Sequence, residues 1–147
     1  MIKKANYNSL DEILEIELIS FSQPWSKAQF INDISNNKTS FNLIYVKDNK
    51  TIGYLFGDCI DNEFHLNNIA IHPNNRRNNI ASELLCFTIN EMRLKKINKI
   101  LLEVSNKNVN AIKLYRSHYF HEVGMRKNYY SKGNDALLFN LELKNHG

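Results

Sequence analysis

The sequence has 147 residues, 43% of them hydrophobic, 11% aromatic and 23% charged, enough apolar material for one substantial core and too much for a disordered chain. No apolar run approaches the roughly 20 residues that span a bilayer, and the opening Met1-Ile2-Lys3-Lys4 lacks the apolar stretch of a secretory leader, so a soluble cytoplasmic chain without a membrane partner is expected. The net charge of +4 would suit a nucleic-acid binder, but the lysines are dispersed along the chain rather than grouped on one stretch.

Ser9 and Glu12 have capping-box spacing, and Leu10, Ile13, Leu14, Leu18 and Phe21 repeat at helical intervals, which predicts a first helix over about 10–21. Pro24 interrupts it, and Ser26 with Gln29 offers a second capping box ahead of Phe30, Ile31 and Ile34. Two β-branched and aromatic runs, Phe41–Val46 and Thr51–Cys59, flank the turn residues Asp48-Asn49-Lys50 and predict a hairpin. After Asp61-Asn62 a third strand, Phe64–Ile71, extends the antiparallel series and stops at His72-Pro73. The polar segment Asn74–Asn79 then leads into Ile80, Leu84, Leu85, Ile89 and Met92, a helix of about 15 residues.

Lys99–Val104 is nearly continuously apolar, which predicts a central strand buried on both faces. A helix over about 108–117 follows, and strands near 119–129 and 136–144 close the chain. The passage from strand to loop, helix, strand and helix reads as a crossover set into an otherwise antiparallel sheet. A single domain over residues 1–147 is expected. Cys59 and Cys86 are too far apart for a zinc or redox motif and read as buried thiols. The five histidines, His118 and His121 among them, read as surface or packing residues, and no metal site is expected.

A strand that stops at a polar, basic loop opening a long helix is a recipe for holding phosphate, because unpaired backbone N–H groups and the helix dipole converge there. Taken alone, a solvated surface loop is the preferred explanation. Glu103 adds a carboxylate near the end of a buried strand, and Asn108, Ala111, Leu114 and Tyr115 give the pattern N-x-x-A-x-x-L-Y on the next helix. Each has a plain alternative: Glu103 as an exposed ladder-end residue, Tyr115 as a core tyrosine, Trp25 as a core plug, Tyr129 and Tyr130 as strand aromatics.

With these residues in place, nearly the whole chain resembles the GNAT family of acetyl-CoA-dependent N-acetyltransferases. Phe21-Ser-Gln-Pro-Trp-Ser26, Asn68-Ile-Ala-Ile-His-Pro73, Leu102-Glu-Val-Ser105, Arg126-Lys-Asn-Tyr-Tyr130 and Asp135-Ala136 are similar to the RimI branch, which acetylates the N-terminal alanine of a small-subunit ribosomal protein. The resemblance implies a mixed α/β, α+β-like fold with about seven mostly antiparallel strands, a central splayed parallel pair and four helices. It implies that Ile69, Ala70 and Ile71 pair with the pantetheine arm. Arg77, Asn78, Asn79, Ile80, Ala81 and Ser82 would form the pyrophosphate loop, and Asn108 would contact the cosubstrate. Glu103 would be the general base, through a water, and Tyr115 the general acid; Trp25, Tyr129 and Tyr130 would line the acceptor side.

The implied acceptor is a protein N-terminus, with no nucleic acid required, and the oligomeric state stays open. At ordinary pKa values of about 7.7–8.0 and 10.4, an α-amine is several hundred times richer than lysine in the neutral form near pH 7, so one carboxylate base suffices. A lysine side chain or small-molecule amine is the alternative acceptor, and a non-catalytic nucleic-acid or ribosome-binding module the alternative class. The loop departs from the family pattern at Asn79, which stands where glycine is usual; asparagine is the next most tolerant residue for left-handed backbone.

Overall fold

The computed structural model describes residues 1–36, 38–76 and 78–143. Seven strands follow the hydrogen-bonded order β1-β2-β3-β4-β5-β7-β6. They are β1 (Ile2–Lys4), β2 (Ser40–Lys47), β3 (Lys50–Ile60), β4 (Glu63–Ile71), β5 (Lys99–Ser105), β6 (His121–Ser131) and β7 (Asn134–Glu142). Four helices accompany them: α1 (Leu10–Ser20), α2 (Lys27–Ser35), α3 (Ile80–Leu94) and α4 (Val109–Ser117). This is the expected mixed α/β class. The chain forms two compact units, one of Met1–Cys59 with Asn67–Phe87 and the other of Ile60–Leu66 with the chain from Thr88 on.

In the first unit, Phe30, Tyr54, Phe56, Ile13, Ile16 and Ile44 form the core, with Trp25 packed against it. The β2–β3 turn puts Asp48 at φ 52° and Asn49 at φ 62°, and the β3–β4 turn puts Asp61 at φ 51° and Asn62 at φ 65°. Two consecutive left-handed residues match the twist of a tight hairpin, which is why Asp-Asn pairs stand at both. Gly53 opposes Tyr45 beside a register shift. A Cβ there would lie 2.5 Å from Ile71 Cδ1 and 3.3 Å from the Ala70 carbonyl, so glycine lets the end of β4 close on β3.

Ser26 and Gln29 form the expected capping box on α2. The one expected at Ser9 and Glu12 is not used. Ser9 has helical backbone and no side-chain cap bond to α1; its hydroxyl oxygen accepts the N–H of Asn6 at 3.4 Å, completing a capping box with Asn6 around the short 3-10 turn Tyr7–Ser9, and the hydroxyl donates to the Asn6 carbonyl at 2.7 Å. Glu12 instead accepts the N–H of Thr51 at 3.2 Å. The buried stripe of α1 is Leu10, Ile13, Ile16 and Glu17, while Leu18 is 67% exposed.

In the second unit, β5 pairs in parallel with β4 from Glu63↔Lys99 to Leu66↔Leu102 and antiparallel with β7 along its whole length. It is central but not buried on both faces: Ile100, Leu102 and Val104 are buried, whereas Glu103 is exposed. An apolar run does not distinguish two covered faces from one covered face lined with leucine. The closing strands are β6 at 121–131 and β7 at 134–142, offset by about two residues from the expectation. Cys59 is half-buried and Cys86 exposed, so neither is a core thiol. None of the described helices is long and apolar enough to cross a membrane.

Candidate active site

At the end of β4 in the first unit, Asn68 is buried and its amide donates to Glu17 Oε1 at 2.8 Å. The Tyr54 hydroxyl donates to the same oxygen at 2.5 Å, and the N–H of Trp25 donates to Oε2 at 2.9 Å. Glu17 is only 1% exposed, and a carboxyl group so buried needs these three donors to offset its lost hydration. Burial, with the bond to Glu17 and its charge, pushes the Tyr54 phenol far above its ordinary value. One buried side chain thus ties helix α1, the Pro24-Trp25 loop, β3 and β4, the strand that carries Ile69, Ala70 and Ile71. The Trp25 ring packs on Phe30 at 5.1 Å and Phe56 at 6.4 Å between centroids, the geometry of a core plug.

Beyond β4, Arg76 Nε donates to the Ile71 carbonyl at 3.1 Å, and Asn79 lies at φ 61°, the left-handed backbone that glycine usually supplies. The Asn79 carbonyl accepts the N–H of Glu83 at 2.9 Å, so Asn79 stands at the entrance of α3. Asn78 and Asn79 are exposed, Ala81 and Ser82 half-buried and Ile80 buried; Arg77 lies outside the described residues. If backbone N–H groups here hold phosphate, Asn79→Gly keeps or improves acetyl-CoA affinity. Asn79→Val costs about 1 to 3 kcal/mol, or about 5- to 150-fold, because a β-branched residue strains at this φ. Isothermal calorimetry on the two variants reads the contrast; equal losses would assign the contact to the amide side chain.

In the second unit, Glu103 lies on β5 opposite Leu138 of β7, next to the last residue of the parallel ladder. The Arg126 guanidinium of β6 is 3.5 Å from its carboxylate. The same guanidinium carbon lies 5.3 Å from the ring centroid of Tyr129, and that ring meets Tyr130 edge-on at 5.1 Å. Tyr130 is half-buried, and burial, then the charges of Glu103 and Tyr129, push its phenol up. Tyr115 of α4 is 4% exposed, packed on Phe120 at 5.7 Å and Phe139 at 6.4 Å. Burial first, and Tyr130 second, hold its phenol well above the ordinary value, so this hydroxyl keeps its proton.

Local structure fixes Tyr115. Its carbonyl accepts the N–H of Phe120 at 3.0 Å across Tyr119, which takes φ 70° to end the helix. Asn108 caps the other end, its side-chain oxygen accepting the N–H of Ala111 at 3.2 Å, which leaves its NH₂ as the side chain's remaining polar group. Burial is thus the main reason that the Tyr130 and Tyr115 phenols hold their protons, with smaller contributions from the charges of Glu103 on Tyr130 and of Tyr130 on Tyr115. Sequence patterns did not single out Arg126 as the partner of Glu103; the approach comes from the β6–β7 pairing. His118 follows the last residue of α4 and His121 opens β6, so the two do not share a helix. Among the described residues, no group of three metal-ligating side chains occurs.

A seven-stranded mixed sheet with a parallel β4–β5 pair and four helices is the architecture of an acyltransferase fold. The model of the Acetyltransferase (GNAT) family matches residues 10–120. The chain belongs to the GNAT family and is an N-acetyltransferase. It is 31% identical to the ribosomal protein bS18-alanine N-acetyltransferase of Haemophilus ducreyi, over 88% of this chain and 88% of that protein. The crystal structure of the ribosomal-protein-S18-alanine N-acetyltransferase from Escherichia coli superposes with a TM-score of 0.91 at 26% identity, covering 100% of this chain and 96% of that one. A further fold likeness, at TM-score 0.82 and 19% identity over 97% and 98% of the two chains, is to the PaiA N-acetyltransferase of Thermoplasma acidophilum in complex with coenzyme A. Family membership sets aside the non-catalytic nucleic-acid or ribosome-binding module.

Proposed function

We propose that this chain is one catalytic domain that transfers the acetyl group of acetyl-CoA to the N-terminal α-amine of a protein. The acceptor we assign is the N-terminal alanine of a small-subunit ribosomal protein in the cytoplasm. The observation that carries the substrate is the 31% identity, over 88% of both chains, to an enzyme named for that reaction. The polar loop fits the pyrophosphate of the cosubstrate, because left-handed Asn79 opens the N-terminus of a helix 15 residues long. The N–H groups of that first turn supply donors, and Ile69, Ala70 and Ile71 offer an extended backbone to a pantetheine arm.

The acceptor's ammonium must lose a proton before it can attack a thioester. Glu103 takes that proton through a water, for which its exposure leaves room. The nitrogen adds to the carbonyl carbon, the C–S bond breaks, Tyr115 gives its proton to the departing thiolate, and the second proton shed by the nitrogen restores the phenol by way of water. A phenol buried among Phe120 and Phe139 suits this role, because it stays protonated at every pH at which the amine reacts. Tyr129 and Tyr130 border the acceptor. Acetyl-CoA-dependent thiol release should be rapid with a peptide beginning in Ala and fall to background when its N-terminus is blocked. Turnover only with polyamines or other small amines would replace this reading.

A further inference from the structure

Asp135, at the start of β7, is the hub of hydrogen bonds that join three segments of the second unit. Its Oδ1 accepts the N–H of Asn128 at 2.8 Å. Its own N–H donates to Asn106 Oδ1 at 3.1 Å, and its carbonyl accepts the N–H of Asn106 at 2.9 Å. Asn128 Oδ1 in turn accepts the N–H of Gly133 at 2.8 Å, and the Ser105 hydroxyl donates to the side-chain oxygen of Asn134. The loop that leaves β5 two residues after Glu103 is thus stitched to the tip of the β6–β7 hairpin.

That tip needs the stitching. The β6–β7 register shifts between Arg126 and Ser131, and Asn128 takes φ 55°, a conformation unfavourable for most residues. Regular pairing does not hold residues 127–130, so the Asp135 carboxylate supplies the acceptor that a ladder carbonyl would otherwise offer, in a charge-assisted bond. The arm so shaped carries Arg126, which is 3.5 Å from Glu103, and Tyr129 and Tyr130. Loss of the clamp would let these three side chains move together relative to Glu103.

We propose that the Asn106–Asp135–Asn128 clamp is a positioning device for the acceptor. By fixing the irregular β6 arm it holds Arg126 and Tyr130 at Glu103 and determines which first residue of a peptide is accepted. The inference rests on the reading that Tyr129 and Tyr130 border the acceptor. One carboxylate oxygen makes the bond to Asn128, so an amide oxygen can replace it and a methyl group cannot.

The test compares Asp135→Asn, Asp135→Ala and Tyr130→Ala of the full chain, with acetyl-CoA and peptides beginning in Ala, Ser, Gly or Met. For Asp135→Ala we expect the peptide KM to rise about tenfold, the equivalent of one lost hydrogen bond, and the preference for Ala to shrink. Its acetyl-CoA affinity should stay within about twofold, and Asp135→Asn should stay within about threefold of the parent in peptide KM. If Asp135→Ala lowers Tm but leaves KM and ranking unchanged while Tyr130→Ala raises KM, the clamp is purely structural and the proposal is overturned. If Tyr130→Ala also leaves both unchanged, the acceptor does not lie at this arm and the underlying reading fails with it. Should Asp135→Ala not fold, Asn106→Ala, which removes the side-chain acceptor of the Asp135 N–H, must raise the peptide KM; an unchanged KM overturns the proposal.

Discussion

Glu103→Gln is expected to lower kcat/KM for an N-terminal amine by roughly 10²-fold or more at pH 7, since it keeps the shape of the side chain and removes its affinity for the proton. The side chain is exposed and its ion pair with Arg126 bridges groups that both face water, so the fold loses little. The defect therefore resides in turnover and not in Tm. Raising the pH should restore part of the rate, because a larger share of the amine is then neutral before it meets the enzyme. An unchanged rate at pH 7 in steady-state assays would mean that the proton leaves by another route.

Tyr115→Phe is expected to slow turnover by about 10- to 10²-fold while acetyl-CoA affinity stays within a few-fold. Phenylalanine fills the same space among Phe120 and Phe139, so the substitution opens no cavity, and the missing hydroxyl acts late, when the thiolate leaves. The sign of the pH effect follows from burial. The folded-state phenol titrates above its ordinary value of 10.0, so its proton is retained throughout the range below that value. Turnover of the parent should therefore show no alkaline decline from this group below about pH 10. A calorimetric loss of acetyl-CoA binding as large as the loss of rate would make Tyr115 a binding residue.

Features encoded over a few residues were legible in the sequence. Ser26 and Gln29 cap α2, Asp-Asn pairs make the two tight turns, and Asn79 takes the left-handed backbone expected where glycine is usual. The box expected at Ser9 and Glu12 did not form: Ser9 closes a box with Asn6, and Glu12 accepts the N–H of Thr51. What remained illegible is long-range. Nothing near Glu17 indicates that its donors stand 37 and 51 residues further on in Tyr54 and Asn68. In the same way the Asn106–Asp135–Asn128 bonds and the approach of Arg126 to Glu103 arise only when the irregular β6 arm is folded beside β5 and β7. Asp135 and Asn128 were visible as motif letters, and their use depends on a register shift that no periodicity announces.

Glu103 shows how a residue can be singled out through an incorrect environment. The run Ile100-Leu101-Leu102 suggested a strand buried on both faces and hence an unusual buried carboxylate. In the fold the carboxylate sits on the open face, next to a cation and a phenol that supply its electrostatic setting. Exposure is compatible with the proposed role of a base that works through water.

The central claim is that this enzyme selects a protein α-amine. The most direct measurement uses one peptide that begins with Ala and also carries an internal lysine, incubated with acetyl-CoA and sequenced by tandem mass spectrometry. The account predicts acetyl on the N-terminal nitrogen, formed at least about a hundred times faster than on the lysine, in keeping with the difference in neutral amine and with an acceptor site built for a terminus. Acetyl found on the lysine ε-nitrogen with the N-terminus unmodified would contradict it.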